Sequence, residues 1–294
     1  MTRTQSRLGS NGLYHWGEIL AGCRRLENRL RDLRLDELPI SAYNKRYLGE
    51  KIRNLSSVLN VYGHLLQLAT KDWDKTLQEF TLVDYGGGSG VLSFLAKESG
   101  IGTVIYCDIY DVSCKDARTL SQMLGINLDH VVCGDVDELV SYLFGNNICI
   151  HAVVSYDVLE HIYDLKYHFQ RLATLQGEFC VVYGSGANIR NPYVRRRLQR
   201  IHFEAEYCQR KRKWGHKERD TLRPYLEIRQ EIIAQLAPDL PQETIHFLAQ
   251  ATRGLRKDDM KYTWLSSEKR VRFLTSPIPQ PIPVTRIQAT GRNV

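Results

Sequence analysis

The chain has 294 residues, 43% of them hydrophobic and 25% charged, the balance of a globular protein with room for one large domain or a core with an appended subdomain. The net charge is +7, but between Arg195 and Arg219 ten Lys/Arg stand against three Glu. The rest is close to neutral, which argues against a nucleic-acid surface spread over the whole chain. No apolar run reaches the roughly 18 residues of a membrane span, and the opening MTRTQSRLGSNG lacks an apolar signal core. The seven cysteines form no C-x-x-C pair, so neither a metal site nor a disulfide framework is expected. Cys107, Cys133, Cys149 and Cys180 lie in strand-like apolar runs and are expected as buried thiols of a cytoplasmic protein.

In chain order, Leu13, Trp16, Ile19, Leu20, Cys23, Leu26, Leu30 and Leu33 recur at helical spacing. Leu38-Pro39-Ile40-Ser41 ends that helix, and a second is expected from Tyr43 to Leu66. From Phe80 the pattern changes. Strands are predicted near 80–85, 102–108, 129–133, 148–156 and 178–183, with helices near 89–99, 113–124, 136–144 and 161–175. That alternation implies βαβ units and a doubly wound, mostly parallel α/β sheet with helices on both faces. Three further helices are expected at about Tyr193–Lys213, Leu222–Leu236 and Gln242–Thr252, the first opened by Pro192. Two short strands, Tyr262–Leu265 and Val271–Leu274, and a proline-rich tail close the chain. The expected organisation is a helical cap (1–77), an α/β core (78–190), a basic helical segment (191–260) and a tail (261–294).

The first predicted strand ends at Asp84 and opens into Tyr85-Gly86-Gly87-Gly88-Ser89-Gly90 before a helix. Glycines let the backbone approach a ligand closely, and the helix start suits a carboxylate or phosphate. A plain βα turn or a dinucleotide site fits this segment equally. Asp108, ending the second strand, suits the two hydroxyls of a ribose. Asp135, after the third, suits an adenine amino group with Val136 against the ring, or equally a helix N-cap.

The fourth strand continues into Ser155-Tyr156-Asp157-Val158-Leu159-Glu160-His161. With Asp84-x-Gly86-x-Gly88-x-Gly90, it makes residues 78–186 resemble the class I S-adenosylmethionine-dependent methyltransferases. The resemblance implies a Rossmann-like fold and S-adenosylmethionine as cofactor. It implies that Asp84, Gly86, Gly87, Gly88 and Gly90 hold the methionine part. Asp108 would take the ribose and Ile109 the adenine, with Asp135 and Val136 flanking the ring. Ser155, Tyr156 and Asp157 would lie beside the methyl group.

His161 is the first candidate base, against a packing role at the next helix start; His168 reads as structural. Tyr43 and Tyr47 are candidates for a lid or for core packing. Asn188, Arg190 and Asn191 are candidates for acceptor contact or for loop capping. The implied activity is methyl transfer to an O or N atom of a small or medium-sized metabolite. A nucleic-acid or protein methyltransferase docking through the basic 195–219 segment is an alternative, although the fourth strand lacks the Asn/Asp-Pro-Pro-Tyr/Phe and Pro-Cys signatures of DNA-modifying members. A non-catalytic cofactor-binding protein is another, and a nicotinamide dehydrogenase fits Asp84 and Asp157–His161 less well. The basic run itself reads either as a binding surface or as a solvated helix face with Ile201, Phe203, Ala205 and Tyr207 packed beneath it.

Overall fold

The computed structural model describes residues 15–210 and 222–260. The chain divides into two compact units, the first reaching to Gly186 and the second beginning at Ala187.

The first unit is built on five parallel strands: β1 (Thr81–Tyr85), β2 (Thr103–Asp108), β3 (His130–Cys133), β4 (Ala152–Tyr156) and β5 (Cys180–Gly184). Their order across the sheet is β3-β2-β1-β4-β5. Between them run α4 (Val91–Glu98), α5 (Asp111–Leu124), α6 (Val136–Gly145) and α7 (Leu165–Leu172). The apolar strand runs resolve into two faces by simple alternation. Leu82, Val104, Tyr106, Ala152 and Val154 point into one core cluster with residues of α4 and α5. Val83, Ile105, Cys107 and Val153 point into the other, with residues of α6 and α7. The fold is thus the doubly wound α/β, Rossmann-like arrangement expected, and the strand order reverses between β1 and β4, where such sheets open a crevice at their C-terminal ends.

Three helices precede the sheet: α1 (Trp16–Arg31), α2 (Ala42–Arg53) and α3 (Leu55–Thr70). The single helix expected from Tyr43 to Leu66 is two, because Asn54 leaves the helical region (φ −119°, ψ 30°) and caps both pieces; its short amide competes for backbone hydrogen bonds. Ile19, Leu26, Leu30, Leu48, Leu59 and Leu66 are buried in the same cluster as Leu82 and Phe94. The boundary expected at 77/78 therefore does not separate compact units: the helices share their apolar stripe with the sheet. Polar ties reinforce this. Glu98 on α4 pairs with Arg25 and Arg29 of α1 at 3.0 Å each. Asp116 on α5 accepts from Ser41 N–H at 3.1 Å, from the Ser41 hydroxyl, and from Asn44 Nδ2 at 2.7 Å.

The second unit contains α8 (Pro192–Tyr207), α9 (Tyr225–Leu236) and α10 (Gln242–Ala251). Leu226 and Ile233 pack on Ile245 and Ala249. Buried Arg229 forks onto buried Glu206 and donates from Nε to the Ala249 carbonyl at 2.8 Å, so the charge of Glu206 is paired rather than stranded. α8 ends at Tyr207, earlier than Lys213, and α9 begins after Pro224 rather than at Leu222. The strands expected at Tyr262–Leu265 and Val271–Leu274, and the proline-rich tail, lie outside the described residues.

Two thiol expectations are corrected. Cys133 and Cys149 are exposed, while Cys107 is buried and Cys180 half-buried. Cys133 ends the edge strand β3, and Cys149 lies in the turn before β4, so neither gains cover from a second neighbouring strand. Among the described residues no helix is long and apolar enough to cross a membrane.

Candidate functional site

The β1 ladder with β4 runs from Leu82–Ala152 to Asp84–Val154 and stops. Beyond it the Ser155 hydroxyl donates to the Tyr85 carbonyl at 2.7 Å, holding the strands together at the mouth of the crevice. Ser155 is thereby committed to the frame, with its side chain buried.

The glycine turn sits on this mouth. Gly86, Gly88 and Gly90 have φ of +74°, +55° and +78°, a region that costs L side chains about 1–2 kcal/mol. Two of the glycines differ in what surrounds them. A Cβ on Gly87 would meet the Tyr106 ring at 2.5 Å, whereas one on Gly88 would meet nothing within 4 Å. Gly87 is needed for packing; Gly88 faces open space, as a backbone cradle for a ligand requires. The Tyr106 hydroxyl donates to the Gly88 carbonyl at 2.7 Å, fixing the turn from below.

Asp108 is buried at the end of β2 and clamps the same turn. Its Oδ2 accepts the Gly88 N–H at 2.9 Å and its Oδ1 accepts the Tyr110 N–H at 2.9 Å. Next to it, Ile109 is 59% exposed, an apolar side chain held in the open at the sheet's end. Asp135 forms a capping box with Glu138 at the start of α6: its side chain accepts from Asp137 N–H, and Glu138 Oε2 accepts its own N–H, both at 2.8 Å. The cap role is thus realised. Val136 is only 4% exposed and packs into the core beneath α6, so Ile109, not Val136, is the apolar surface at this edge.

Asp84 is buried, and its Oδ2 accepts from the Ser93 hydroxyl at 2.6 Å. Burial raises its pKa to about 6, opposed by the Ser93 bond and the nearby Lys51 charge. Lys51, on α2, was not marked by any sequence motif. Its ammonium stands 5.5 Å from the Tyr62 ring, and Tyr62 meets Tyr156 edge-on at 5.6 Å. The Asp84 side of the crevice therefore carries a cation and two aromatic rings.

Asp157 adopts φ +56°, rare for a residue with a side chain and characteristic of sites held by their surroundings. Its N–H donates to the Gly184 carbonyl at 2.9 Å, and its Oδ1 accepts the Gly186 N–H at 2.5 Å, which ties the residue after β4 to the end of β5. His161 lies exposed on a one-turn 3₁₀ segment, Leu159–His161, with no side-chain hydrogen bond to orient it among the described residues. His168 is buried, its Nε2 2.7 Å from the Tyr183 hydroxyl, and burial drives its pKa down to about 4. That is the structural role expected of it.

α2 presents Tyr43 and Tyr47 in tilted contact at 4.7 Å, with the Arg46 guanidinium within 6 Å of both rings. Tyr43 also meets Tyr110 edge-on at 6.3 Å, and the Tyr110 N–H is the one held by Asp108. Burial and the neighbouring tyrosines and Asp108 push the Tyr43 hydroxyl's pKa up. Neither ring joins a core cluster: Tyr43 is half-buried and Tyr47 exposed. Asp116 anchors the first turn of the helix that carries these rings.

Asn188, Arg190 and Asn191 belong to the second unit. Asn188 Oδ1 accepts from Arg190 N–H at 3.0 Å, and Asn191 caps α8 by accepting from Tyr193 and Val194 N–H at 3.0 and 3.3 Å. Both asparagines are thus engaged in loop and helix capping. Among the described residues no group of His, Cys, Asp and Glu is arranged to hold a metal ion.

The fold defines an α/β protein with a parallel sheet of order 3-2-1-4-5. No protein-family model matches the chain, and no curated protein matches it. Among solved structures, the crystal structure of Thermoplasma acidophilum 1320 is similar to 69% of this chain and 92% of its own, at 15% identity and a TM-score of 0.34.

Proposed function

We propose that the protein is a methyltransferase that uses S-adenosylmethionine to methylate an O or N atom of a small or medium-sized metabolite. The observation that carries this reading is the Asp108–Gly88 hydrogen bond, which brings the acid of β2 against the glycine turn of β1 at the strand-order reversal. A nucleoside with a short charged tail matches that arrangement from end to end. Asp108 takes the ribose, Ile109 offers apolar surface to the base, and the backbone of Gly86–Gly90 takes the tail. Lys51 supports the reading by adding a positive charge suited to the tail's carboxylate.

The cofactor would supply a methyl group already activated on a sulfonium. The chain's own task is then to bind, align an acceptor in line with that methyl, and exclude water. Tyr156, half-buried and edge-on to the buried Tyr62, offers an aromatic face at the methionine end, and aromatic faces attract a sulfonium as they do other cations. Tyr43, Arg46 and Tyr47, in mutual contact on α2, offer aromatic and cationic surface to an acceptor. His161, exposed just beyond β4, is the base candidate for an acceptor that needs deprotonation.

Isothermal calorimetry with S-adenosylmethionine and S-adenosylhomocysteine tests the cofactor half. Both are expected to bind the natural chain and to fail with Gly86→Arg, in which a long side chain meets Val158, and with Asp108→Ala. Absence of binding by the natural chain overturns the reading. A metabolite screen by product mass then tests transfer.

A further inference from the structure

α8 divides its two kinds of hydrophobic residue between opposite faces. Val194, Leu198, Ile201 and Ala205 fall on one side of the helix at i, i+4, i+7, i+11 spacing and are all partly covered. Tyr193, Arg196, Arg200, Phe203 and Tyr207 fall on the other, with Arg197 and Glu204 at its flank. Of the residues that the solvated-face reading would pack beneath the basic run, Ile201 and Ala205 are partly covered, but Phe203 and Tyr207 are 58% and 48% exposed, and Tyr193 is 82% exposed. The aliphatic residues suffice to seat a helix of this length, which leaves the aromatic rings turned outward among the arginines. Phe203 and Tyr207 lie side by side with ring centroids 5.1 Å apart. Arg195, Arg196 and Arg197 meet no carboxylate among the described residues, and Arg200 approaches Glu204 only at 3.9 Å.

From this face we infer that α8 is a binding site for single-stranded nucleic acid, a function separate from methyl transfer and not dependent on it. Guanidinium groups pair with phosphates as two-pronged donors. Exposed rings accept unstacked bases, which have an aromatic face whatever their sequence. Interleaving the two along one stripe, from Tyr193 to Tyr207 over about 21 Å of helix, matches a chain whose phosphates and bases also alternate. A helix lying on a membrane would segregate its rings on one face and its cations on another; here they share a face. An acidic protein would use the arginines but leave three exposed rings unexplained.

The test is fluorescence anisotropy of the full chain with a labelled single-stranded RNA of about twelve nucleotides, without S-adenosylmethionine, across a range of salt. The natural chain should bind with salt-sensitive affinity. Arg196→Ala with Arg200→Ala should weaken binding at least about tenfold and flatten the salt slope by about 1.4, the loss of two phosphate contacts on a single strand. Phe203→Ala with Tyr207→Ala should weaken binding at least tenfold while leaving that slope nearly unchanged. Circular dichroism should show both variants folded. The inference fails if the natural chain does not bind at low salt, or if either double variant binds like the natural chain. It fails as well if anionic phosphatidylserine vesicles are bound in a stripe-dependent way while the RNA is not.

Discussion

The carboxylate of Asp108 holds the backbone N–H of Gly88 at 2.9 Å, so the last residue of β2 fixes the turn that follows β1. Replacing that carboxylate affects two elements together. Asp108→Asn keeps an acceptor oxygen for one amide but loses the charge and the second acceptor. S-adenosylhomocysteine affinity should fall by about tenfold to a hundredfold, the worth of a hydrogen bond to a charged group, with a modest fall in melting temperature. Calorimetric titration alongside thermal unfolding checks both.

Gly87 and Gly88 should separate stability from binding. Gly87→Ala drives a methyl into the Tyr106 ring, and overpacking of this kind costs about 1–3 kcal/mol. Gly88→Ala meets no atom within 4 Å, so its folding cost is limited to about 1–2 kcal/mol for a positive φ, while its methyl enters the space where the proposed cofactor would lie. The expected result is that Gly87→Ala shows the larger loss in denaturant unfolding and Gly88→Ala the larger loss of cofactor affinity per kcal/mol of stability lost.

Lys51 offers a test of which part of the ligand it meets. Lys51→Met keeps the stem over Tyr62 and removes the charge. Affinity for S-adenosylmethionine and S-adenosylhomocysteine should drop by roughly tenfold, but affinity for methylthioadenosine, which lacks the amino-acid tail, should not change. Equal losses for all three ligands would place Lys51 elsewhere.

The pH dependence of stability should show two opposed slopes. Asp84 has a folded pKa of about 6 against about 3.9 in an unfolded chain. Between about pH 4 and 6 the folded state therefore binds more protons, and its stability falls as pH rises through that window, by up to about 3 kcal/mol. His168 has a folded pKa of about 4 against about 6.5 unfolded. Its folded state binds fewer protons between those values, so its contribution is full above about pH 6.5 and is lost on acidification. The two offset one another in the natural chain. In Asp84→Asn the first slope disappears: the variant should be more stable than the natural chain at pH 7 and should lose stability more steeply from pH 6.5 to 4. Melting temperatures measured across this range decide it.

Much of the sheet is legible in the sequence. The five strand runs, the turn after Asp84 and the placement of Asp108 and Asp135 at strand ends all follow from apolar segments punctuated by glycine and aspartate. These features arise from interactions between near neighbours in the chain. Tyr43 and Tyr47 were also legible as residues of the second helix, although not their contact with Arg46 and Tyr110.

The remaining features depend on what lies beside a residue once the chain has folded. The sequence by itself determined the α/β class, the glycine turn and its flanking acids, because each is encoded by local pattern. Only the tertiary structure decided that Lys51 stands near Asp84, that Val136 is buried while Ile109 is exposed, and that Phe203 and Tyr207 face outward. A side chain's burial and electrostatic partners are set by elements far away in sequence, and helical periodicity names a face without saying what covers it.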